Sequence, residues 1–185
     1  LHDATTDLVL TKAAANGLRG NRFTSLESAA TKRQLVLAGS KRSLLTGNVF
    51  FKGGKATDTA MIQSIDTGTG AGEIQLFNNT LVNHYAPGAI FLEAIGENAP
   101  KVEARRNVIW GNGKVTSLNV QADFSENYTG TDSIFADENF RIREGAVPAG
   151  WGATWDAASF AHAARETESP AGSGKGQLQA AAAGP

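Results

Sequence analysis

Three places in this 185-residue chain bring together side chains able to move protons or hold charge. His2 and Asp3, with Lys12 close behind, set an imidazole beside a carboxylate and near an ammonium, a combination that abstracts a proton and holds an acidic sugar. His84 and Tyr85 are adjacent and pair a base with an acid, as β-elimination requires. Arg105 and Arg106 are two planar cations suited to carboxylates. Glu93, Glu97 and Glu103 are candidate oxygen donors for calcium, an ion that needs several oxygens converging on one point. Each group also has a plainer reading. His2-Asp3 fits a chain turn, His84-Tyr85 fits loop packing, and the arginines, like Lys32-Arg33 and Lys41-Arg42, fit a solvated face. No metal or other cofactor is implied by spacing alone. Cysteine is absent, which removes thiolate chemistry, disulfides and Cys-based metal sites together.

The elements that would position these groups emerge from a repeat. The chain has 21 glycines against 5 prolines, a balance that favours short extended segments joined by tight corners. Leu18 to Phe23, Leu45 to Phe50, Leu76 to Leu81 and Ala104 to Ile109 share one pattern: apolar, variable, turn-former, Asn, variable, apolar. Their asparagines stand at 21, 48, 79 and 107, spaced by 27, 31 and 28 residues. Periods of this size mark solenoids. An Asn at a bend tolerates left-handed backbone and bonds to neighbouring coils, so stacked copies form an amide ladder. The apolar columns Leu18/Leu45/Leu76/Ala104 and Phe23/Phe50/Leu81/Ile109 then fill the interior, and the variable columns face water.

Further strands are expected at Leu35 to Leu37, Met61 to Ile65, Ala89 to Leu92 and Ser117 to Val120, giving at least two per coil. A short fifth coil through Ala122 to Tyr128 would put Asn127 in the corner column. Strict alternation is missing from Gln34 to Leu37, which suits a parallel stack better than the alternative, an antiparallel sandwich. The fold class expected is therefore all-β, with coils over residues 1–150 and a cap and flexible tail over 151–185. Glu138 to Pro148 reads as a last strand and turn. Trp151, Trp155, Phe160 and His162 read as a cover for the open end, and Ser169 to Pro185 as too poor in apolar residues to order. Leu1 reads as the end of a strand, so upstream coils are expected.

In that register Arg19, Thr46, Phe77 and Arg105 fall in one outward stripe at about 4.8 Å per coil. Arginines interleaved with an aromatic suit carboxylated or flat sugar rings, and suit a plain solvated face as well.

The runs Ile74 to Asn83 and Val102 to Ile109, and the segment Asn139 to Pro148, resemble the right-handed parallel β-helix proteins of the pectate lyase-like superfamily over Leu1 to about Trp155. That resemblance implies a solenoid with a substrate groove along one outer face. It also implies an activity as polysaccharide lyase or glycoside hydrolase, with Arg or Lys as base and calcium or a second cation neutralising a uronate. The chain contains no Asp-Asp pair, no Gly-His-Gly and no Arg-x-Pro-x-x-Arg. The resemblance therefore reaches core and corner residues and not a catalytic string.

Functional expectations follow. The principal one is a secreted or periplasmic lyase or hydrolase of acidic polysaccharide, using His84, Tyr85, His2 and Lys12 for catalysis and Arg19, Phe77 and Arg105 for binding. The alternatives are a noncatalytic carbohydrate-binding or adhesion module, and a structural piece that self-associates through its first coil as a homo-oligomer. The net charge of -1 argues against a nucleic-acid partner. No apolar run approaches the roughly 18 residues that span a bilayer, so no membrane partner is expected.

Overall fold

Short extended stretches separated by left-handed corners wind the chain into a parallel β-solenoid of about 4 turns. The computed structural model describes residues 9–24, 30, 32–68, 72–117, 120 and 122–154. The first sheet stacks β1 (Leu10–Thr11), β4 (Leu35–Ala38), β7 (Ala60–Ile65), β10 (Ala89–Ile95) and β13 (Gly113–Thr116). The second stacks β2 (Ala15–Arg19), β5 (Arg42–Thr46), β8 (Glu73–Phe77) and β11 (Lys101–Arg105). The third stacks β3 (Arg22–Thr24), β6 (Val49–Lys52), β9 (Thr80–Asn83), β12 (Val108–Gly111) and β14 (Tyr128–Gly130). Each coil passes through the three sheets in turn, and every strand pair is parallel. Coil one is β1 to β3, coil two β4 to β6, coil three β7 to β9 and coil four β10 to β12. The described residues contain no helix.

Register carries the argument from sequence to packing. Leu18, Leu45, Leu76 and Ala104 are Cα partners, as are Phe23 and Phe50, and Leu81 and Ile109. Phe50 in turn faces Leu81, so both apolar columns run unbroken through the core. The Phe23 and Phe50 rings stack with centroids 4.7 Å apart, close to the spacing between coils. Leu35, Ile62 and Leu92 add a third column from the first sheet. No coil buries its inward face by itself, so the repeats stabilise one another through nearest neighbours.

The corner between the second and third sheets is held by amides. The Asn21 backbone N–H donates to Asn48 Oδ1 (2.9 Å), Asn48 to Asn79 (3.0 Å), Asn79 to Asn107 (2.9 Å) and Asn107 to Asn127 (2.9 Å). Each of these side chains also passes an Nδ2 hydrogen to the next Oδ1. Asn48, Asn79, Asn107 and Asn127 give another Nδ2 hydrogen to the coil behind, at Leu18, Leu45, Leu76 and Ala104. Just before Asn21, Asn48, Asn79 and Asn107 the backbone is left-handed, at Gly20 (φ 63), Gly47 (φ 63), Asn78 (φ 54) and Arg106 (φ 56). Glycine and asparagine take that conformation cheaply, whereas arginine pays strain.

The structure corrects the expected roles of several segments. The strand expected at Ser117 to Val120 is β13, at Gly113–Thr116, and Val120 instead dips into the core. Val120, Ala122 and Phe124 together pack on the apolar interior of the last coil. The stretch Glu138 to Pro148 is not a strand but irregular chain with one antiparallel bridge, Phe135 to Ile142. It belongs to a strap, residues 131–154, that lies along the outer face of the third sheet. Arg22 Nη1 donates to Asn139 Oδ1 (3.1 Å) and its guanidinium sits 5.8 Å from the Phe140 ring centroid. Further along, Asn78 Nδ2 donates to the Gly150 carbonyl, Gly152 N to Arg106 O (2.7 Å) and Ala153 N to Thr80 Oγ1 (2.9 Å). The column Val49, Thr80 and Val108 was expected to meet water, and the strap buries it. Burial under the strap lowers the Arg22 pKa, an effect the charge of Asp137 opposes. Residues 155–185, with Trp155, Phe160, His162 and the expected tail, lie outside the described residues.

Two buried polar groups were not anticipated. Lys52 is 0% exposed, and its ammonium donates to the carbonyls of Lys32 (2.5 Å) and Ala60 (2.8 Å). Gln34 is also 0% exposed, yet neither its amide nitrogen nor its oxygen has a hydrogen-bond partner.

Candidate functional site

The second sheet has a distinct outer face, because its strands alternate strictly: Ser43, Leu45, Ile74, Leu76, Val102 and Ala104 point inward and their neighbours, exposed or half-buried, outward. Three outward columns result. The first runs Ala15, Arg42, Glu73 and Lys101; the second Gly17, Leu44, Gln75 and Glu103; the third Arg19, Thr46, Phe77 and Arg105. The third is the stripe that spacing predicted, and pairing puts its members directly beside one another. Arg19 and Arg105 are exposed at its ends and Phe77 is half-buried between them.

Charges on this face are partly compensated. Arg105 Nε lies 3.2 Å from Glu103 Oε1, and Arg42 Nε lies 3.9 Å from Glu73 Oε2. Gln75 Nε2 donates to Glu103 Oε2 (3.4 Å). Beyond Arg105 a small cavity of about 130 Å³ is lined by Glu103, Arg105, Asp123, Ser125 and Glu126 among others. The Asp123 carboxyl is held below its usual range, chiefly by the Ser125 backbone N–H (2.8 Å) and then by the Ser125 hydroxyl, with the Arg105 charge a lesser contributor.

The expected catalytic residues stand elsewhere. His84 and Tyr85 follow β9 at the turn from third to first sheet. The exposed His84 ring packs edge-on to Phe51 (centroids 4.9 Å apart) and lies 5.6 Å from that of Trp110. With Asn83, Ala86, Gly111, Asn112 and Thr131 these two rings line an open depression. Tyr85 is held by its backbone, which donates to Asn83 Oδ1 (2.9 Å). Lys12 is exposed at the turn from first to second sheet in coil one. His2 and Asp3 lie outside the described residues. Three corners of the solenoid thus hold Lys12, the arginine stripe and the His84-Tyr85 pair. From stripe to His84 the chain crosses all of β9, about 13 Å at 3.3 Å per residue, far beyond proton-transfer reach.

The three glutamates considered for calcium do not converge. Glu93 is on the first sheet and accepts from Gln63 Nε2 (2.5 Å), Glu103 is on the second sheet against Arg105, and Glu97 sits in the turn between β10 and β11. Among the described residues no group of three or more His, Cys, Asp or Glu is placed to hold a metal ion. No protein-family model, curated protein or solved structure matches the chain.

Proposed function

We propose that this solenoid binds an acidic polysaccharide along the outer face of its second sheet without cleaving it. The observation that carries this reading is the in-register column Arg19, Thr46, Phe77 and Arg105 on the outward face of the second sheet. Guanidiniums take carboxylates in a planar fork, and an aromatic edge between them gives an uncharged surface for a sugar ring. The resemblance of the repeat to pectate lyase-like β-helices, together with the parallel coils, supports a groove-type glycan site on such a face. A secreted or periplasmic location goes with that reading. The dispersal of His84-Tyr85, Lys12 and the stripe over three corners favours binding over catalysis.

Calorimetric titration with polygalacturonate tests the proposal. The parent protein is expected to bind, with affinity falling as salt rises. Phe77→Ala is expected to weaken binding by roughly one stacking contact, about 1 kcal/mol or some fivefold. Equal affinity for Phe77→Ala and the parent protein would reject this face. The open depression beside His84 and Trp110 favours a second reading, in which the pair cleaves a polymer end. Unsaturated product that forms with the parent protein and vanishes in His84→Ala would establish that reading instead.

A further inference from the structure

The net charge of -1 conceals a division along the solenoid axis. Lys and Arg outnumber Asp and Glu nine to three from Leu1 to Thr57, and Asp and Glu outnumber Lys and Arg twelve to six from Asp58 to Thr154. Among the described residues from Val9 to Thr57 there is no carboxylate at all. The second sheet displays this division on its open face. Coils one and two bring Lys12, Arg19, Lys41 and Arg42 to that face or its leading turn. Coils three and four bring Glu73, Lys101, Glu103 and Arg105, with Asp123 and Glu126 beside the last.

The leading turn is also built rigidly. Thr11 Oγ1 donates to Asn16 Oδ1 (2.5 Å), Asn16 Nδ2 donates to Ser40 Oγ (2.8 Å), and Ser40 and Ser43 share a hydrogen bond (2.8 Å). The backbone N–H groups of Lys41 and Arg42 both reach Ala14 O, at 2.8 and 3.0 Å. A hydroxyl and amide floor therefore joins the Lys12 turn to the Lys41-Arg42 turn one coil above. Such a floor fixes the backbone that carries these cations. At the far end Glu103 meets the Arg105 guanidinium at 3.2 Å, closer than Glu73 meets Arg42 at 3.9 Å, and a polyanion there would also face Asp123 and Glu126.

We infer that Lys12, Arg19, Lys41 and Arg42 form the subsite that reads the negative groups of the ligand, carboxylate or sulfate, while coils three and four contact the polymer without selecting for charge. The inference rests on the second-sheet reading and assigns polarity to it: the ligand's charged stretch lies over coils one and two. Lys12 becomes a binding residue rather than a base. Arg105, met by Glu103, remains a contact of the stripe but does not set the charge preference. The face carries a single aromatic in its outward columns, Phe77, so it offers no succession of rings for stacking bases, and a polysaccharide fits it better than a nucleic acid.

The test compares two exposed double variants of the full chain, Lys12→Ala/Arg42→Ala and Lys101→Ala/Lys114→Ala, after circular dichroism confirms that both fold. Each is titrated with polygalacturonate, a sulfated galactan, an uncharged glucan and single-stranded DNA. The expected result is a loss of about tenfold for both anionic glycans in the first variant and less than about twofold in the second. Equal losses, or a larger loss in the Lys101/Lys114 variant, would overturn the subsite while leaving the face intact, since Phe77→Ala reports on the face separately. DNA binding as tight as polygalacturonate would overturn the choice of polysaccharide. Failure of every polymer to bind would overturn the face and the subsite together. A carboxylated chain favoured over a sulfated one, or the reverse, identifies which oxyanion the subsite reads.

Discussion

Asn79 is the ladder residue whose loss is most informative. Its Oδ1 accepts from the Asn48 backbone (3.0 Å) and from Asn48 Nδ2 (3.0 Å). Its Nδ2 donates to Asn107 Oδ1 (3.0 Å) and to Leu45 O (2.8 Å). Asn79→Ala removes all four bonds from a site with 0% exposure. At about 0.5–1.5 kcal/mol net per bond the loss is roughly 2–6 kcal/mol. It falls in the upper half of that range, because two Asn48 donors and the Leu45 carbonyl are left without partners in the interior. An expected cost of about 5 kcal/mol is a large share of the roughly 5–15 kcal/mol that holds a domain folded. Asn21→Ala is the internal control. Asn21 donates through Nδ2 to Arg19 O and Asn48 Oδ1, both at 3.2 Å, at the exposed end of the ladder. Water replaces those bonds, so about 1 kcal/mol or less is expected. Urea unfolding measures both, with the slope held common if the unfolded states are alike. If Asn79→Ala lost no more stability than Asn21→Ala, the stacked amides would not be what fixes the corner.

Other perturbations follow from single sites. Gln34→Leu should stabilise the fold by about 1–3 kcal/mol, since it removes two buried polar atoms that bond to nothing; a fall in the thermal midpoint would contradict this. Arg106→Gly should raise stability by up to about 1 kcal/mol by relieving a left-handed arginine, as read from the urea midpoint. Gly113→Ala should abolish or severely weaken folding, because a Cβ there would run into the Ala89 carbonyl oxygen one coil below, and unchanged stability would mean the coils are less closely apposed. Phe140→Ala should cost about 3–5 kcal/mol by emptying the space between Phe51, Phe135 and the Arg22 guanidinium.

What could be read from sequence was whatever repeats. The asparagines at 21, 48, 79 and 107 recur with apolar residues at fixed offsets, so corner, core columns and outward stripe were all legible, and Asn127 followed from the same pattern. The strap was not, because Phe135, Phe140 and Ala153 meet the third sheet once each, at separations no periodicity marks. For the same reason Thr80 and Val108 passed for surface residues. Lys52 and Gln34 look like any polar residues near a turn; only the coil packed over them makes them interior. The candidate site was half legible. Register of the stripe follows from spacing, but its compensation at Glu103 and Asp123 depends on which acids the fold brings alongside. The axial separation of charge was present in the residue order all along, hidden by summation to -1.

The strap alters how the whole stack comes apart. Coils that touch only their neighbours can peel from an end, each departure costing one interface. Here one ribbon grips Arg22 at the first coil and Arg106 at the fourth, so neither of these coils can peel from the described stack without releasing it. Partial opening is therefore penalised twice, and the described solenoid should melt as one cooperative unit rather than shorten rung by rung.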